Sequence, residues 1–294
     1  MAVEPIVSKN DLARFLGINL RQLDRMLNRL ESFYRPKRIP KKDGTPRTLL
    51  IPSGRLKEIQ RNIKTVILSR VDWPDSVQGG VRGRSVRTSA LRHVGKDLVI
   101  AMDVKDFFPS VSPTKVSTVF TRLGMSPEVC GILTKLTTWN NQLPQGAPTS
   151  TDLANLALAQ VDARISGLCR QQGFTYTRYV DDITVSGMAK LTGFKNLLGR
   201  IIEEEGFLVK HQKTEIMPRN KRQLVTKVIV NEKLNLPKEQ RQQLRLDVLR
   251  ANSPELSASL KGRINWLRYL NPESAGGVMD VVRAARQPNE KSSD

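Results

Sequence analysis

Two adjacent carboxylates between two short apolar runs restrict the fold of this chain more than any other feature. Asp181 and Asp182 follow Tyr179-Val180 and separate the runs at residues 174–176 and 183–185, and no glycine or proline interrupts them. Such a pattern predicts two strands joined by a tight reversal, a β-hairpin with negative charge at its tip. Aspartate pairs are also common in solvated turns, because aspartate tolerates a left-handed backbone and bonds to its own main chain. The hairpin alone leaves a catalytic and a structural role open.

A third acidic residue ends another apolar run, 78 residues upstream of Asp181. Asp103 comes directly after residues 98–102, which are Leu-Val-Ile-Ala-Met. Carboxylate oxygens held on rigid strands suit Mg²⁺. If the two strands lie side by side, Asp103, Asp181 and Asp182 would face a pair of ions about 3.5–4 Å apart, an arrangement that supports phosphoryl transfer.

The positive charge of the chain, +20 at neutral pH, is concentrated in three windows. Residues 33–65 carry ten lysines and arginines against two acidic residues, residues 78–97 five against one, and residues 217–287 fourteen against six. Residues 98–216, which hold the candidate catalytic acids, are close to neutral. An acidic centre flanked by basic segments indicates a protein that grips a phosphodiester backbone on both sides of a metal site, whereas a generally basic surface would spread the charge.

Several classes of protein are disfavoured by what the sequence lacks. No run approaches 18 apolar residues and no secretory signal is evident, so we expect a cytoplasmic protein with no membrane partner. Cys130 and Cys169 lack the spacing of metal ligands and are expected to be buried free thiols. His93 and His211 are the only histidines, which excludes a histidine-rich metal site.

The first 32 residues are predicted to be helical. Ser8 with Asp11 forms a variant of the capping box, apolar residues recur at helical spacing as far as Leu30, and Gly17 marks a break. Two helices joined in this way fit either a packed helical hairpin or a DNA-binding helix-turn-helix.

The rest of the chain predicts a mixed α+β core of strands backed by helices. A β-hairpin is expected over residues 34–52, and a Gly/Arg-rich loop over 78–85. Further strands are expected over residues 98–102, 207–210 and 224–230. Helices are expected over residues 56–69, 86–93, 113 onward, 128–136, 150–169, 189–205 and 237–286.

Five ordered motifs together resemble those of reverse transcriptases. They are Lys41-Lys42-Asp43-Gly44 with Arg47, Asp103-Val104-Lys105-Asp106-Phe107-Phe108, Leu143-Pro144-Gln145-Gly146-Ala147-Pro148, Tyr179-Val180-Asp181-Asp182, and Glu205-Gly206-Phe207 with Lys213-Thr214. Asp106-Phe107-Phe108-Pro109-Ser110 and the helical N-terminus are similar to the bacterial retron type. The resemblance covers about residues 10–270. The family's common Val-Thr-Gly is replaced here by Val225-Thr226-Lys227.

The resemblance implies an α+β, right-hand polymerase fold. Its divisions would be an N-terminal helical segment at 1–32, fingers at 33–102, a palm with an antiparallel sheet at 103–218, a helical thumb at 219–286, and a disordered tail at 287–294.

The resemblance also assigns roles to the acidic motifs. Asp103 and Asp181 would bind two Mg²⁺ ions, the Val104 carbonyl would be a further ligand, and Asp182 would assist. Lys213 could protonate the departing pyrophosphate.

Four residues are expected to contact the incoming nucleotide. Arg47 and Lys42 would clamp the triphosphate, since guanidinium groups match phosphate oxygens bidentately. Gln145 would contact the nucleotide beside Gly146, which permits close backbone approach. Phe108 resembles the family's steric gate against a 2′-hydroxyl. One of Phe107 and Phe108 should be core, because alternate residues of a strand face opposite ways.

Nucleic-acid phosphates are expected to meet two sets of arginines. These are Arg82 and Arg84 in the basic loop with Arg87 and Arg92 in the short helix after it, and Arg241, Arg245, Arg250 and Arg263 in the thumb. A solvated, purely structural face remains the alternative for the loop set.

The function that the resemblance implies is an RNA-directed DNA polymerase copying part of a structured non-coding RNA into single-stranded DNA. Its partners would be that RNA, the DNA product, deoxynucleoside triphosphates and an effector protein of a retron anti-phage defence system. The alternatives are another defence-associated reverse transcriptase, an RNA polymerase or untemplated nucleotide adder, and a nucleic-acid-binding regulator that uses residues 8–32 as a helix-turn-helix.

Overall fold

The computed structural model describes residues 6–40, 44, 46–251 and 257–284. The helices are α1 (Lys9–Leu16), α2 (Leu20–Leu27), α3 (Gly54–Val66), α4 (Val86–Leu91), α5 (Phe107–Ser110), α6 (Pro113–Arg122), α7 (Pro127–Thr137), α8 (Ser150–Ala157), α9 (Ala159–Gln172), α10 (Lys195–Glu204), α11 (Lys238–Leu249), α12 (Ala258–Leu270) and α13 (Pro272–Ala284). The strands are β1 (Tyr34–Pro40), β2 (Pro46–Pro52), β3 (Leu98–Asp103), β4 (Thr175–Tyr179), β5 (Asp182–Gly187), β6 (Glu215–Pro218), β7 (Leu224–Val225) and β8 (Val228–Ile229).

A four-stranded antiparallel sheet in the order β4-β5-β3-β6 supports the predicted site. Strand β3 pairs with β5 from Leu98↔Gly187 to Asp103↔Asp182, so both strands deliver acidic residues to the same end of the sheet. The predicted acid-bearing hairpin and the predicted strand at residues 98–102 are confirmed.

Strand β3 separates two hydrophobic clusters. Ile100 and Met102 belong to the larger cluster, which contains most of the sheet and most of the helices up to α10, but not α4. Val99, on the opposite face of the strand, belongs to a smaller cluster built mainly from β7, β8 and the helices α11–α13. Alternate side chains of a strand point to opposite faces, and here both faces are covered, which explains why the strand is apolar throughout.

The N-terminal helices are part of the larger cluster. The predicted capping box between Ser8 and Asp11 is present, and Leu12, Leu16 and Leu23 are completely or almost completely buried. Helices α1 and α2 both contact α7, and α1 also contacts α3. The pair is therefore a packed helical hairpin whose apolar faces are used within the fold.

The predicted helix over residues 150–169 is in fact two helices, α8 and α9, interrupted at Leu158. The carbonyl of Asn155, in the last turn of α8, accepts a hydrogen bond from the buried Arg178 guanidinium at 3.4 Å. A side chain that enters the main-chain hydrogen-bond ladder is a recognised cause of a helix break. Similarly, the helix predicted over 189–205 begins as a 3₁₀ helix and becomes α10 only at Lys195.

Two predicted strands differ from the structure. Residues 207–210 contribute only an isolated bridge between Val209 and Val104, whereas the edge strand beside β3 is β6, which the sequence analysis missed. Residues 224–230 form a small hairpin of β7 and β8 whose turn residues, Thr226 and Lys227, both have positive φ. The predicted helix over 56–69 ends as α3 at Val66 and is followed by a 3₁₀ turn.

The hairpin of β1 and β2 is hydrogen-bonded to the loop that contains Gln145. Its register runs from Tyr34↔Pro52 to Pro40↔Pro46, and the Leu50 amide donates to the Gln145 carbonyl at 2.8 Å. The predicted tail at 287–294 lies outside the described residues, and the division into fingers, palm and thumb stays a prediction. Within the described residues, we find no helix with the length and apolar character needed to cross a membrane.

Candidate active site

Three aspartates line one cleft where β3 ends and the β4–β5 hairpin turns. Asp103 and Asp182 are directly paired across neighbouring antiparallel strands, so their side chains lie on the same face of the sheet. Asp181 occupies the turn between Tyr179 and Asp182. The structure thus places Asp103, predicted at the end of one strand, beside Asp181 and Asp182, predicted at the tip of a hairpin.

Main-chain hydrogen bonds fix the backbone around these acids. The Val104 amide donates to the Asp181 carbonyl at 3.1 Å, and the Lys210 amide donates to the Asp103 carbonyl at 2.8 Å. Val180 adopts a left-handed backbone with φ of 60°, which is rare for a β-branched residue. Strained conformations of this kind persist only where the surroundings enforce them, and they concentrate at functional sites.

The acids line a cleft of about 730 Å³. Phe108, Gln145 and Lys213 also line this cleft. A second cleft of about 490 Å³ opens beside the first and also reaches Asp103, Asp181 and Asp182. Thr226 borders both clefts, so the turn between β7 and β8 stands next to the acids.

The electrostatics of the acids suit the binding of a cation. Burial, together with the negative charges of Asp181 and Asp103, raises the pKa of Asp182 to about 6. The positive charges of Lys227 and Lys213 act in the opposite direction but do not cancel this effect. Grouped carboxylates that disfavour their own ionisation are stabilised by a bound divalent cation.

The donor set fits a metal site that substrate oxygens would complete. Across the part of the chain that the structure describes, no three histidine, cysteine or carboxylate side chains converge as a ready-made metal cage. Val104, whose carbonyl is the further predicted ligand, lines the cleft beside Asp103 and Asp181. Oxygen ligands shared between protein and substrate phosphates are the usual environment of Mg²⁺.

Lys213 is close to the acids, as its predicted role requires. Its Nζ lies 3.7 Å from Oδ2 of Asp103, and more than half of the side chain is exposed. The 3₁₀ turn His211–Lys213 holds it there. An exposed ammonium at this distance from a carboxylate keeps its freedom to reach a substrate phosphate.

Phe107 and Phe108 face different environments, although not for the predicted reason. They form the first turn of the short helix α5, which starts after Asp106 in a left-handed conformation, and are not part of a strand. Phe107 is buried and packs against Phe207, with ring centroids 6.3 Å apart. Phe108 is half-buried and lines the cleft beside the acids. One ring is core, as expected, and the other is available to a ligand.

The residues predicted to bind the nucleotide are only partly described. Gln145 is half-buried at the cleft wall, and Gly146 has φ of 110°, a conformation that favours glycine. Lys42 lies outside the described residues, and of Arg47 only the backbone, within β2, is described. The roles of Lys42, Arg47, Phe108 and Gln145 stay predictions.

Comparison with known proteins agrees with this geometry. The family model described as "Reverse transcriptase (RNA-dependent DNA polymerase)" matches residues 39–245. The retron Mx65 reverse transcriptase of Myxococcus xanthus is 35% identical over 91% of this chain and 69% of its own length. The chain belongs to the reverse transcriptase family.

Other comparisons agree with this assignment. The retron Ec86 reverse transcriptase of Escherichia coli is 33% identical over 81% of this chain and 76% of its own length. The enzyme is therefore an RNA-directed DNA polymerase similar to the curated retron enzymes.

Solved structures support the right-hand polymerase fold. Telomerase from Candida albicans, in complex with a TWJ fragment of telomeric RNA, superposes with a TM-score of 0.54 and covers 85% of this chain at 11% identity. Apo telomerase from Candida tropicalis superposes with a TM-score of 0.54 over 86% of the chain. The chain spans 54% and 58% of the length of these telomerases, and identities this low establish the fold alone.

The arginines of the reverse transcriptase's basic loop are not equivalent. Arg84 donates to the carbonyls of Trp73 and Val77 at 2.8 and 2.6 Å, so its guanidinium is used to hold the loop. Arg82 and Arg92 are exposed, and Arg92 lies 3.6 Å from a carboxylate oxygen of Asp75. For Arg84, binding to a phosphate would require loss of these internal bonds.

Arg87, on α4, connects the short helix after the basic loop to the C-terminal helix α12. Its guanidinium lies 5.0 Å from the ring centroid of Tyr269 on α12, within the range of a cation–π interaction. Arg245 on α11 and Arg250, which caps this helix, are exposed, whereas Arg241 on α11 is half-buried. Arg263 of α12 forms an ion pair with Asp247. The proposed contacts of all these arginines with nucleic acid stay predictions.

Two residues close to the polymerase site were missed by the sequence analysis. Arg178 is completely buried one residue before the Tyr179–Asp182 motif, and Lys227 borders the second cleft. The signal for Arg178 was present, since an arginine stands inside an otherwise uncharged strand. For Lys227 the signal was its position in place of the glycine that the family commonly carries.

Proposed function

We propose that this reverse transcriptase copies part of a structured non-coding RNA into single-stranded DNA by two-metal nucleotidyl transfer with Mg²⁺. The observation that carries the proposal is the pairing of Asp103 with Asp182 beside Asp181, in a cleft bordered by Phe108, Gln145 and Lys213. The named similarity to the retron Mx65 and Ec86 enzymes supports the retron type.

In this proposal each acid has a separate task. Asp103, Asp181 and the Val104 carbonyl would hold the ions, and Asp182 would adjust the charge beneath them. When bound, the ions would lower the cost of activating the primer hydroxyl and of releasing the pyrophosphate. The rigid pairing of β3 with β5 keeps the two acid-bearing strands in register, as a preorganised site requires.

The chain's own side chains would complete the reaction around the acids. The Lys213 ammonium is placed to donate a proton to the leaving pyrophosphate oxygen. Phe108, packed on the buried Phe107 with ring centroids 5.6 Å apart, would stand beneath the sugar and exclude a 2′-hydroxyl. Arg47 and Lys42 would hold the triphosphate from the β1–β2 hairpin.

The proposed biological partners follow the same family. They are the structured RNA template, its DNA product, deoxynucleoside triphosphates and an effector protein, within an anti-phage defence system. Support for the nucleic-acid partners comes from the charge of +20 and from its concentration in segments that flank the acids.

Incorporation of labelled dTTP on poly(rA) annealed to oligo(dT), with and without Mg²⁺, tests the activity. Asp103→Asn and Asp181→Asn keep the side-chain shape but remove charge, so incorporation should fall by at least about 100-fold. Binding of the primed template should persist in both variants, because the phosphate-binding arginines are unchanged.

Asp72→Asn is the matched control, since it makes the same chemical change at an exposed aspartate outside the cleft. Incorporation by both acid variants at the rate of this control would refute the assignment. Sequencing the nucleic acid that co-purifies with the full-length protein would identify the RNA, and the absence of one defined RNA would count against the retron type.

A further inference from the structure

A completely buried ion pair lies directly behind the turn that carries Asp181. Arg178 is 0% exposed, and its Nε and Nη2 donate to the two carboxylate oxygens of Asp162 at 2.8 and 2.6 Å. The Tyr176 hydroxyl donates to the same carboxylate at 2.5 Å. Asp162 belongs to α9, so this pair ties strand β4 to the helix beneath it.

The remaining guanidinium nitrogen of Arg178 contacts the turn that carries Val180 and Asp181. Nη1 of Arg178 donates to the Val180 carbonyl at 2.8 Å and to Oδ1 of Asn155 at 2.7 Å. Asn155 in turn donates to the Gly79 carbonyl at 2.9 Å. The planar fork of arginine therefore connects α8, α9 and the strained turn at one point, which a lysine cannot do with a single ammonium.

A second segment supports the turn from the side of Gly79. The amides of Gln78 and Gly79 donate to the Arg178 carbonyl at 2.7 and 3.3 Å, and the Arg178 amide donates to the Ser76 carbonyl at 2.7 Å. A Cβ at position 79 would lie 2.3 Å from the Val180 nitrogen, so only glycine fits against this turn. The left-handed Val180 is thus enclosed between the close approach of Gly79 and the hydrogen bonds of Arg178.

The main chain of Asp181 is consequently held at both ends. The carbonyl before it, that of Val180, is bonded to Arg178, and its own carbonyl is bonded to the Val104 amide at 3.1 Å. We infer that Arg178, fixed by Asp162 and Asn155, is a positioning residue that sets the direction of Asp181 toward the cleft. This inference rests on the proposed catalytic role of Asp181.

A purely structural role does not account for the arrangement. A buried ion pair can often be exchanged for apolar side chains of similar volume without loss of stability, because desolvation offsets much of the attraction. Stability alone therefore does not require charge here. The polar fork has a use that an apolar pair lacks, which is the hydrogen bond to the Val180 carbonyl.

Two variants separate positioning from folding. Arg178→Lys keeps a cation beside Asp162 but loses the fork, so one or both bonds to Val180 and Asn155 must be lost. The double variant Arg178→Met with Asp162→Leu removes both charges together and avoids an unpaired buried charge. Lys64→Met with Asp152→Leu is the matched control, since it removes another ion pair, at 2.8 Å, between α3 and α8, outside the turn.

Steady-state incorporation of dTTP on poly(rA)/oligo(dT) by the full-length protein gives the readout, with circular dichroism as the test of folding. We expect kcat to fall at least about tenfold in both Arg178 variants, with KM for dTTP and affinity for the primed template within about threefold of the parent. The Lys64/Asp152 control should keep its kcat within about twofold.

Each possible result distinguishes a positioning role of Arg178 from a structural role or from failure of the proposed function. Folded Arg178 variants with parental kcat would overturn the inference, and so would a loss confined to KM or to template affinity. If the double variant does not fold, Arg178→Lys decides by the same criteria, and a general loss of folding in Arg178→Lys would also overturn positioning in favour of a structural role. A parent that incorporates no dTTP, or an active Asp181→Asn, would instead refute the proposed function.

Discussion

Asp103 and Asp182 face each other as partners in the antiparallel register of β3 and β5, so the two carboxylates lie on the same face of the sheet. Like charges directly opposite on one face of a sheet are destabilising. The repulsion is maintained here by strands that are buried on both sides. The site therefore combines a stable scaffold with a locally unfavourable arrangement of charge.

Asp182→Asn should stabilise the metal-free protein while slowing polymerisation. The substitution removes one carboxylate whose pKa is raised to about 6 by burial and by Asp181 and Asp103. A shift of this size corresponds to at most about 3 kcal/mol in the free energy of unfolding at neutral pH. Thermal melts in EDTA should show a higher Tm for the variant than for the parent, and an unchanged or lower Tm would contradict the electrostatic account.

Phe108→Ala should relax the selection against ribonucleotides. The half-buried ring of Phe108 lines the cleft, so its removal opens space next to the acids. We expect the ratio of kcat/KM for UTP to that for dTTP to rise at least about tenfold on the same template. Phe107→Val is the comparison, because Phe107 is core and its truncation should lower Tm more than it changes the ratio. If Phe107→Val relaxes the selection against ribonucleotides and Phe108→Ala does not, Phe107 is the steric gate.

Local sequence patterns predicted most of the elements that form the site. Strand β3 and the β4–β5 hairpin are apolar runs ending in acids, and their pairing follows from the antiparallel sheet. Strand β6 escaped prediction because Glu215–Pro218 is short and half of it is exposed. Its strand conformation comes from pairing with β3, a contact more than 100 residues away in sequence that no local pattern reports.

The break between α8 and α9 is a second feature that local sequence patterns do not predict. Nothing at Leu158 interrupts the helical pattern, which runs without proline or glycine from Ser150 to Ser166. The Asn155 carbonyl accepts from the Leu158 amide at 3.2 Å and also from Arg178, a residue on the following strand, at 3.4 Å. Sequence alone identified the acids of the site, but the residues that orient them are linked only in three dimensions.

His93 should make the stability of the protein fall as the pH is lowered. The ring is buried between the hydroxyls of Ser186 and Thr177, and burial, with the charges of Lys96 and Arg92, lowers the pKa of His93 to about 3. The unfolded chain takes up a proton near pH 6.5, whereas the folded protein does not, so stability declines between about pH 6.5 and pH 3.

His93→Asn removes this proton uptake and should reduce the slope of the unfolding free energy by up to about 1.4 kcal/mol per pH unit. Denaturant unfolding at pH 7, 6, 5 and 4 measures it. His211→Asn, at a side chain that is 74% exposed, is the control and should keep the parental slope. Equal slopes in the parent and in His93→Asn would show that the buried imidazole is protonated in the folded state.

Lys227→Gly should lower the rate of incorporation without lowering the stability of the protein. Lys227 has φ of 68°, a conformation that glycine adopts without strain, so the substitution should leave stability unchanged or raise it by up to about 1 kcal/mol. The side chain borders the cleft that contains the acids, and its loss should reduce incorporation by about three- to tenfold. A paired measurement of Tm and kcat/KM decides it, and a fall in both would mean that the lysine is chiefly structural.

The arginines of α11 should contribute to RNA binding through charge. Replacing Arg241, Arg245 and Arg250 together with Gln should weaken binding of the co-purifying RNA and flatten its dependence on salt. Each lost phosphate contact should reduce the slope of log affinity against log salt by roughly 0.7–0.9. Filter binding across a salt series provides the measurement.

The matched control is Arg21, Arg25 and Arg29, all exposed on or just after α2, changed together to Gln. This variant alters the net charge equally and should leave the salt slope close to that of the parent. The same reduction in both variants would indicate a nonspecific effect of net charge. An unchanged slope in the α11 variant would place the RNA on the basic loop, with Arg82 and Arg92 as the next candidates.

Strand β3 is shared between two hydrophobic clusters. Helices α11–α13 therefore cannot be replaced independently of the sheet. Val99 on β3 and Met217 on β6 pack in the same cluster as Leu244, Ile264 and other residues of α11–α13. In a chimera that took these helices from a relative, their apolar side chains would also have to pack against the face of the sheet that carries Val99 and Met217. Exchange of the C-terminal helices by recombination is therefore constrained to carry part of β3 and β6 along with them.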